Sequence, residues 1–497
     1  MTVQYFTADG GPMVSAYNPG SRNLQPQAMN WEAWRNPQNY HPDLPILKRG
    51  IERWVNDFHF RREFEADPIG SLRNQGLDLE LKSLQIMINP ELAQSYTSSD
   101  PKTPLLVRQY RDFIQSKRQH CIEIRESHPK HSRWHRWRQR MLNATLWRDG
   151  PRKHAKLVHA PFTIELTKGC TVGCWFCGVD AAKYQGPIEI NGQTEQLWKE
   201  LLISLRNIAG VKSAQHGFCY WATDPFDHPE YEWFLEHFHD ILGYWPQTTT
   251  AQVMKHAERM RKLLTHIKSR NAFVQRFSMI RSGDFDAIHD YFSPEELFMC
   301  ELIPQYDDRL SPKATAGRVR QLVLEHQNTN KPIPIHYNLE STGSIACVSG
   351  FLINLAERSV KIITPCNASE RWPLGYRVLA EETLESSSNI EQILLRMLNN
   401  SLNDRLQADD RLVAYSGIKF TATGSNSLCA TKNGYTFSLP NISNAGHLAE
   451  LLQEGEMSVA EICAKRSKLG VENLYTSITL NQLFDQGLFD EDYIDSK

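Results

Sequence analysis

Three cysteines within eight residues constrain this chain more than any other feature. Residues 170 to 177 read CTVGCWFC, which puts Cys170, Cys174 and Cys177 at Cys-x3-Cys-x2-Cys spacing, directly after FTIEL and the turn TKG. FTIEL reads as a strand, so the thiols belong to a loop at a strand end. Three thiolates so spaced can wrap one side of an iron–sulfur cubane and leave its fourth iron without a protein ligand. A zinc site completed by a distant His or Cys is the alternative, since isolated Cys-x2-Cys pairs are common.

Composition favours metal or thiol chemistry over a disulfide framework. The chain has ten cysteines in 497 residues, and its opening MTVQYFTADGG has no basic segment followed by an apolar core. No run approaches the roughly 20 apolar residues of a membrane span. A cytoplasmic protein with no membrane partner is the expectation. With 55 basic and 57 acidic residues the net charge is -2, so the whole chain exerts no pull on nucleic acid.

The length predicts two or three domains. Residues 10 to 45 are rich in Gly, Pro, Asn and Ser and predict irregular chain. Helical spacing then runs through IERWVNDFHFRREFEADPIGSLRNQGL, LKSLQIMI and a long stretch from Leu105 to Leu146. The end of this region, KHSRWHRWRQRMLNATLWRDGPRKHAK, carries Trp134, Trp137 and Trp147 among many Arg, Lys and His. It reads either as an RNA-binding surface or as an amphipathic helix with a buried Trp face and a solvated Arg face; the second is favoured.

Past Ala160, strand-like runs alternate with helices. FTIEL, GFCYWA, TTT, RFSMI, MCELI and IPIHY are the strands; QLWKELLISLRNIAG and AQVMKHAERMRKLLTHI are helices between them. This alternation indicates a mainly parallel α/β sheet closed as a full or partial barrel. After about residue 408, GIKFTATG, SLCATKNG and YTFSLP precede three helical stretches, which suggests a winged-helix-like unit. The predicted domains are a helical 1–155, a barrel 156–407 and a C-terminal unit 408–497.

The triplet, its place after a strand and the aromatic before its third cysteine resemble the radical SAM superfamily signature. The resemblance implies a partial (βα)6-type barrel, one [4Fe-4S] cluster on Cys170, Cys174 and Cys177, and S-adenosyl-L-methionine on the open iron. Phe176 then holds the position whose backbone faces the adenine. YWATDPFDHPEY stands where many family members carry a GGEP-like turn, so Thr223 and Asp224 take the place of the residues that receive the SAM amino group. Ser278, in RFSMIRSGDFD, resembles the polar residue that reaches the ribose or carboxylate of SAM.

Cys347 and Cys366 bracket ACVSGFLINLAERSVKIITPC, two apolar runs around an ERS turn that predict a β-hairpin. Its outline resembles the opening of a SPASM or twitch extension, but no Cys-x2-Cys follows, so a single cluster and free thiols at 347 and 366 are expected. A free thiol can return a hydrogen atom to a carbon radical. Cys366 follows a strand and Pro365 and is expected near the barrel mouth, so it is the first candidate donor, with Cys347 the alternative.

The C-terminal unit resembles PqqD-like elements that bind leader peptides as an added strand, and residues 60 to 79 resemble nitrile-hydratase-type leader sequences. With TPCNASERWPLGYRV added, residues 155 to 490 resemble the radical SAM amino-acid epimerases of proteusin-type RiPP pathways. The implied reaction converts L- to D-residues in a ribosomally made precursor peptide, fed by an electron donor such as flavodoxin or ferredoxin. Backbone excision or crosslinking by a related enzyme, tRNA modification, and a non-catalytic peptide scaffold with a structural metal remain open alternatives.

Overall fold

The computed structural model describes residues 29–98, 100–329, 331–332, 337, 339, 343–384, 389–424 and 426–494. Most of the Gly- and Pro-rich opening lies outside them, as do four of the five residues of the expected strand IPIHY. Within them the chain is a mixed α/β protein.

Helices lead: α1 (Leu44–Asn56), α2 (Phe58–Ala66), α3 (Pro68–Asn74), α4 (Leu81–Ile88) and α5 (Pro90–Ser95). They are short because Asp57, Asp67 and Asn89 each accept backbone N–H groups as new N-caps, twice followed by a proline in the first turn. The long pattern after Leu105 is two helices, α6 (Leu105–Glu126) and α7 (Ser132–Asp149), parted at SHPKH, where Pro129 cannot continue the ladder. The core holding Trp31, Trp34, Phe60 and Phe113 also takes in Tyr244, Phe273, Val274 and Phe298. Those four precede parallel strands, so the helices cover the N-terminal ends of a sheet.

In α7 the three tryptophans are buried, as the amphipathic reading expects, but its Arg face is not simply solvated. Arg138 and Arg140 are fully buried as well. Arg138 donates to the carbonyls of Arg125 (2.8 Å), Val158 (3.0 Å) and His159 (2.7 Å), satisfying chain ends that have no ladder partner. A short α8 (Pro151–His154) leads into the sheet.

β1 (Ala160–Glu165) is followed by β2 (Thr167–Lys168), which pairs with β3 (Gly186–Pro187). Then come α9 (Gly192–Ala209), capped by the Asn191 side chain, and α10 (Val211–Ala214). GFCYWA, expected as a strand, makes only one bridge, Phe218 beside Thr163. Side chains of β1 stand in for the ladder: Thr163 donates its hydroxyl to the Tyr220 carbonyl, and Glu165 accepts from the Ala222 N–H at 2.7 Å.

The chain continues through α11 (Tyr231–Leu242), β4 (Thr249–Thr250), α12 (Ala257–Ile267), β5 (Gln275–Met279), α13 (Ser282–Tyr291), β6 (Cys300–Pro304) and α14 (Arg318–Asn328). Where one continuous barrel sheet was expected, β4, β5 and β6 form a parallel sheet separate from that of β1, because GFCYWA between them makes no ladder. The helix expected from Ala251 starts only at Ala257, because the Ala251 and Gln252 N–H groups go to Asp224 and Thr250. β7 (Val348–Asn354) lies parallel to β1 on its other side. β8 (Ser359–Pro365) and β9 (Tyr376–Thr383) follow antiparallel, so the expected hairpin is present, with α15 (Ile390–Ser401) after it. Phe162, Ile164, Phe277, Leu302, Phe351 and Ile353 pack outward against helices. Phe218, Val348, Leu352 and Ile363 line the opposite, inner face.

The C-terminal part holds β10 (Arg411–Leu412), β11 (Lys419–Thr423), β12 (Ser427–Lys432), β13 (Tyr435–Pro440), α16 (Ala445–Glu454), β14 (Met457–Ser458), α17 (Val459–Ser467) and α18 (Asn473–Asp485). β11, β12 and β13 form an antiparallel sheet in that order, and β10 pairs with β14. Ser458 and Glu461 make the capping box that starts α17. Ala144 and Trp147 of α7 belong to this core, so α7 links it to the main sheet.

Candidate functional site

The cysteine loop leaves the C-terminal end of β1 and is closed at its neck. The β2–β3 pairing ties its ends together, and the Cys170 N–H donates to the Ala182 carbonyl at 2.9 Å. Gly169, at φ +75°, passes so close that a Cβ would sit 2.3 Å from the Lys183 carbonyl oxygen. Only glycine fits there.

Three outside groups hold the loop. Asp227 accepts both the backbone N–H of Thr171, at 2.8 Å, and its hydroxyl. Arg318 donates to the Cys174 carbonyl at 2.8 Å and to Asp180 at 3.0 Å, while its own N–H reaches the Cys177 carbonyl at 3.0 Å. Gly317, at φ +53°, packs so tightly that a Cβ would lie 2.4 Å from the Cys177 oxygen.

All three thiols are free and half-buried. Burial pushes Cys170 up to about 12 and Cys174 up to about 11, with the neighbouring thiol and Asp224 adding to both shifts. Thiolates in such a place need a cationic partner. Among the described residues no three His, Cys, Asp or Glu side chains, the triplet included, are gathered to hold one ion. A tetrahedral zinc would need sulfurs about 3.8 Å apart. A cubane would spread its thiolates over three irons, and three cysteines on one loop are a donor set that could hold it.

The expected SAM-facing residues fall into two groups. Thr223 is half-buried beside Asp224, and Asp224 lies close enough to Cys170 for its charge to be felt there. Asp224 is not a free acceptor: it takes the N–H groups of Phe226 (3.0 Å) and Ala251 (2.8 Å) and the Thr250 hydroxyl (2.8 Å). Its role in the structure is to brace the 223–227 turn against the end of β4. Ser278 is half-buried on β5, on the same face as Arg276. The Phe176 ring turns away to pack with Val319, Val323 and Tyr337 beneath Lys313, 4.9 Å from its centroid.

Sequence reasoning missed several residues of this region. Asp227 sits three positions after Asp224 in the same DPFD run, and Gln252 donates to it at 2.7 Å. Glu165, the last residue of β1, is buried and also accepts from Asn354 at 3.1 Å; burial raises it to about 7. Arg276 on the inner face pairs with Glu301 at 2.8 Å, and Glu301 also holds Lys117 of α6. A carboxylate two residues ahead of TKGC was the one visible signal; the others come together only through strand order.

The two remaining cysteine candidates occupy different spaces. Cys347 is half-buried on the inner face with Tyr220, Trp221 and Tyr376. Cys366 does not lie at the C-terminal mouth of β1 as expected. β8 runs antiparallel, with Ile363 beside Gly350, and β7 begins with Val348 beside Ala160, so the end of β8 is level with the start of β1. Backbone contacts nevertheless connect Cys366 to the triplet loop. Its N–H donates to Gly375 (3.1 Å), Gly317 donates to Pro373 (2.9 Å), and Arg318 donates to Cys177. Cys366 is buried, its thiol pushed up to about 12 by that burial against the pull of Arg377 and Arg148. It lines a cavity of about 690 Å³ shared with the C-terminal part.

No protein-family model matches the chain. It is 29% identical over 464 residues to the uncharacterized protein y4wI of Sinorhizobium fredii (strain NBRC 101917 / NGR234), which covers 91% of this chain and 88% of that protein. Coverage that wide takes in the helical, sheet and C-terminal parts alike. A crystal structure of BtrN in complex with AdoMet and 2-DOIA shares 14% identity at a TM-score of 0.28, over 49% of this chain and 87% of that one. A superposition so loose carries no argument. Among the described residues no helix is long and apolar enough to cross a membrane.

Proposed function

We propose that this chain is a radical SAM peptide epimerase, converting L- to D-residues in a ribosomally made precursor peptide. The observation that carries the reading is the triplet loop: three free thiols at the C-terminal end of β1, held by Asp227, Gly317 and Arg318. Barrel enzymes place their chemistry at that end of the strands. A [4Fe-4S] cluster on Cys170, Cys174 and Cys177, with S-adenosyl-L-methionine on its open iron, would supply a 5′-deoxyadenosyl radical that removes a peptide Cα hydrogen.

The protein's own residues then decide the outcome. The backbone at Phe176 would face the adenine, Ser278 the ribose or carboxylate and Thr223 the amino group of SAM, while Asp224 keeps the 223–227 turn in place. A cysteine thiol returns a hydrogen atom from its S–H bond to the opposite face of the flattened Cα, leaving a thiyl radical; Cys366, away from the β1 mouth but tied to the triplet loop through Gly375, Pro373 and Gly317, is the first candidate. Flavodoxin or ferredoxin would supply two electrons per turnover, one to cleave SAM to methionine and the radical, and one that with a proton restores the thiol. Burial favours the protonated thiol at Cys366, the form this step consumes. Cys347, packed with Tyr220, Trp221 and Tyr376 on the inner face, is the alternative donor. The exposed strands β11 and β13 offer sheet edges for a leader peptide.

The test is anaerobic turnover of a candidate precursor peptide with SAM and reductant in D2O. Each epimerisation adds one deuterium to the peptide. A product of lower mass would instead indicate excision or crosslinking, and no 5′-deoxyadenosine would remove the radical reading altogether. Cys366→Ala should stop deuterium uptake; if it does not, Cys347→Ala is the variant that should.

A further inference from the structure

The cavity at Cys366 has a wall from each side of the junction. Cys366, Arg148 and Arg377 come from the main sheet and α7; Tyr415, Lys432, Asp490 and Asp492 come from the C-terminal part. At about 690 Å³ it lies within the range of sites that hold a small ligand or a short stretch of chain. Its lining mixes apolar and charged side chains, and most of the charges cancel in pairs. Arg377 is held by Asp490 and by Asp492, the latter at 3.0 Å, and Asp492 also receives the Trp372 indole N–H at 2.8 Å. Arg148 pairs with Asp149 at 2.7 Å, and Asp149 is shared with Lys153 at 3.0 Å.

Two lining charges stand outside these pairs: Glu370, which is exposed, and Lys432. Lys432 is half-buried on the cavity wall and makes no hydrogen bond or ion pair with the described residues. Asp149, the nearest charge that favours its ammonium, is already engaged by Arg148 and Lys153. A partly buried cation without a counter-charge is costly, and an anion entering the cavity would offset that cost.

The position of Lys432 says how an occupant would arrive. Lys432 ends β12 and pairs with Tyr435, the first residue of β13. β13 is an edge strand, and the Tyr435 ring packs against Trp147 at 5.2 Å, one residue from Arg148. An extended chain added along β13 would therefore have one end near Lys432 and Arg148, two of the cations on the cavity wall.

We infer that this cavity binds a segment of the substrate peptide bearing an acidic side chain, with Lys432 as its counter-charge. The inference rests on the peptide-substrate reading, yet it concerns binding alone and needs neither cluster nor radical.

The probe is a capped pentapeptide with a central glutamate among alanines, compared with its glutamine counterpart. Binding to the full-length chain, purified anaerobically, is followed by saturation-transfer NMR. The glutamate peptide should bind about tenfold tighter than the glutamine one, as a partly desolvated charge pair supports. Lys432→Met should abolish the preference at an unchanged melting temperature, and Lys432→Arg should keep it. Equal binding of the two peptides, or a preference that survives in Lys432→Met, overturns the proposal. If the preference stands while no deuterium enters a precursor peptide, the epimerase reading fails and the cavity assignment remains.

Discussion

Asp227 and Thr171 are joined twice, through the backbone N–H of Thr171 and through its hydroxyl, across 56 positions of sequence. Thr171 follows Cys170, so one carboxylate from the turn after GFCYWA sets the entry of the triplet loop. Gln252 fixes the same carboxylate from the end of β4.

Asp227→Asn keeps one acceptor and loses the charge. Groups of this kind behind metal ligands typically change metal affinity about 10- to 100-fold. We expect reconstituted protein to lose iron to a chelator correspondingly faster, measured by iron content over time, with far-UV circular dichroism unchanged.

Gly317→Ala probes the other end of the loop. The added methyl would meet the carbonyls of Cys177 and Gly178, and backbone cannot yield as a side-chain tip can. The cost of such overpacking is about 1–3 kcal/mol, and φ +53° adds to it. Cluster incorporation should fall more than the melting temperature does, read from iron and sulfide per chain.

Glu165 predicts a pH dependence. Its folded-state pKa is raised from 4.5 to about 7, chiefly by burial. Between those values the folded chain keeps a proton that the unfolded chain has released, so stability falls as pH rises through that window, by about 3 kcal/mol in all. Glu165→Gln removes this titration. The variant should gain on the parent protein between pH 5 and pH 8 in thermal melts; a constant gap would rule out the buried-acid account.

Arg140 couples α7 to the C-terminal part. Both it and Glu491 are almost fully buried, Arg140 Nη2 reaches the Asn403 carbonyl at 2.8 Å, and its guanidinium lies 3.8 Å over the Phe484 ring. Arg140→Met strands a buried carboxylate, at about 3–5 kcal/mol. Limited proteolysis should then cut the 403–410 connection faster. Adding Glu491→Leu should recover most of the loss.

The local pattern determined a good deal of this protein. Strand and helix types followed from residue periodicity, the hairpin 348–365 from two apolar runs around a turn, and the triplet from spacing within eight residues. These are short-range properties, set by backbone propensity and by the alternation of apolar side chains. Tertiary structure decided what propensity does not encode. GFCYWA lost its ladder because Thr163 and Glu165 claimed its backbone groups. Arg138 and Arg140 went inside because distant carbonyls and a carboxylate waited there. Cys366 lies away from the mouth because β7 runs parallel to β1 and its hairpin partner β8 therefore returns to the start of β1; the hairpin was legible in its own segment, but the pairing of β7 with β1, some 190 positions earlier, was not. The spacing of the triplet is visible in its own eight residues, while the residues that hold its loop, Asp227, Gly317 and Arg318, come from 50 to 148 positions away and are brought to it only by strand order.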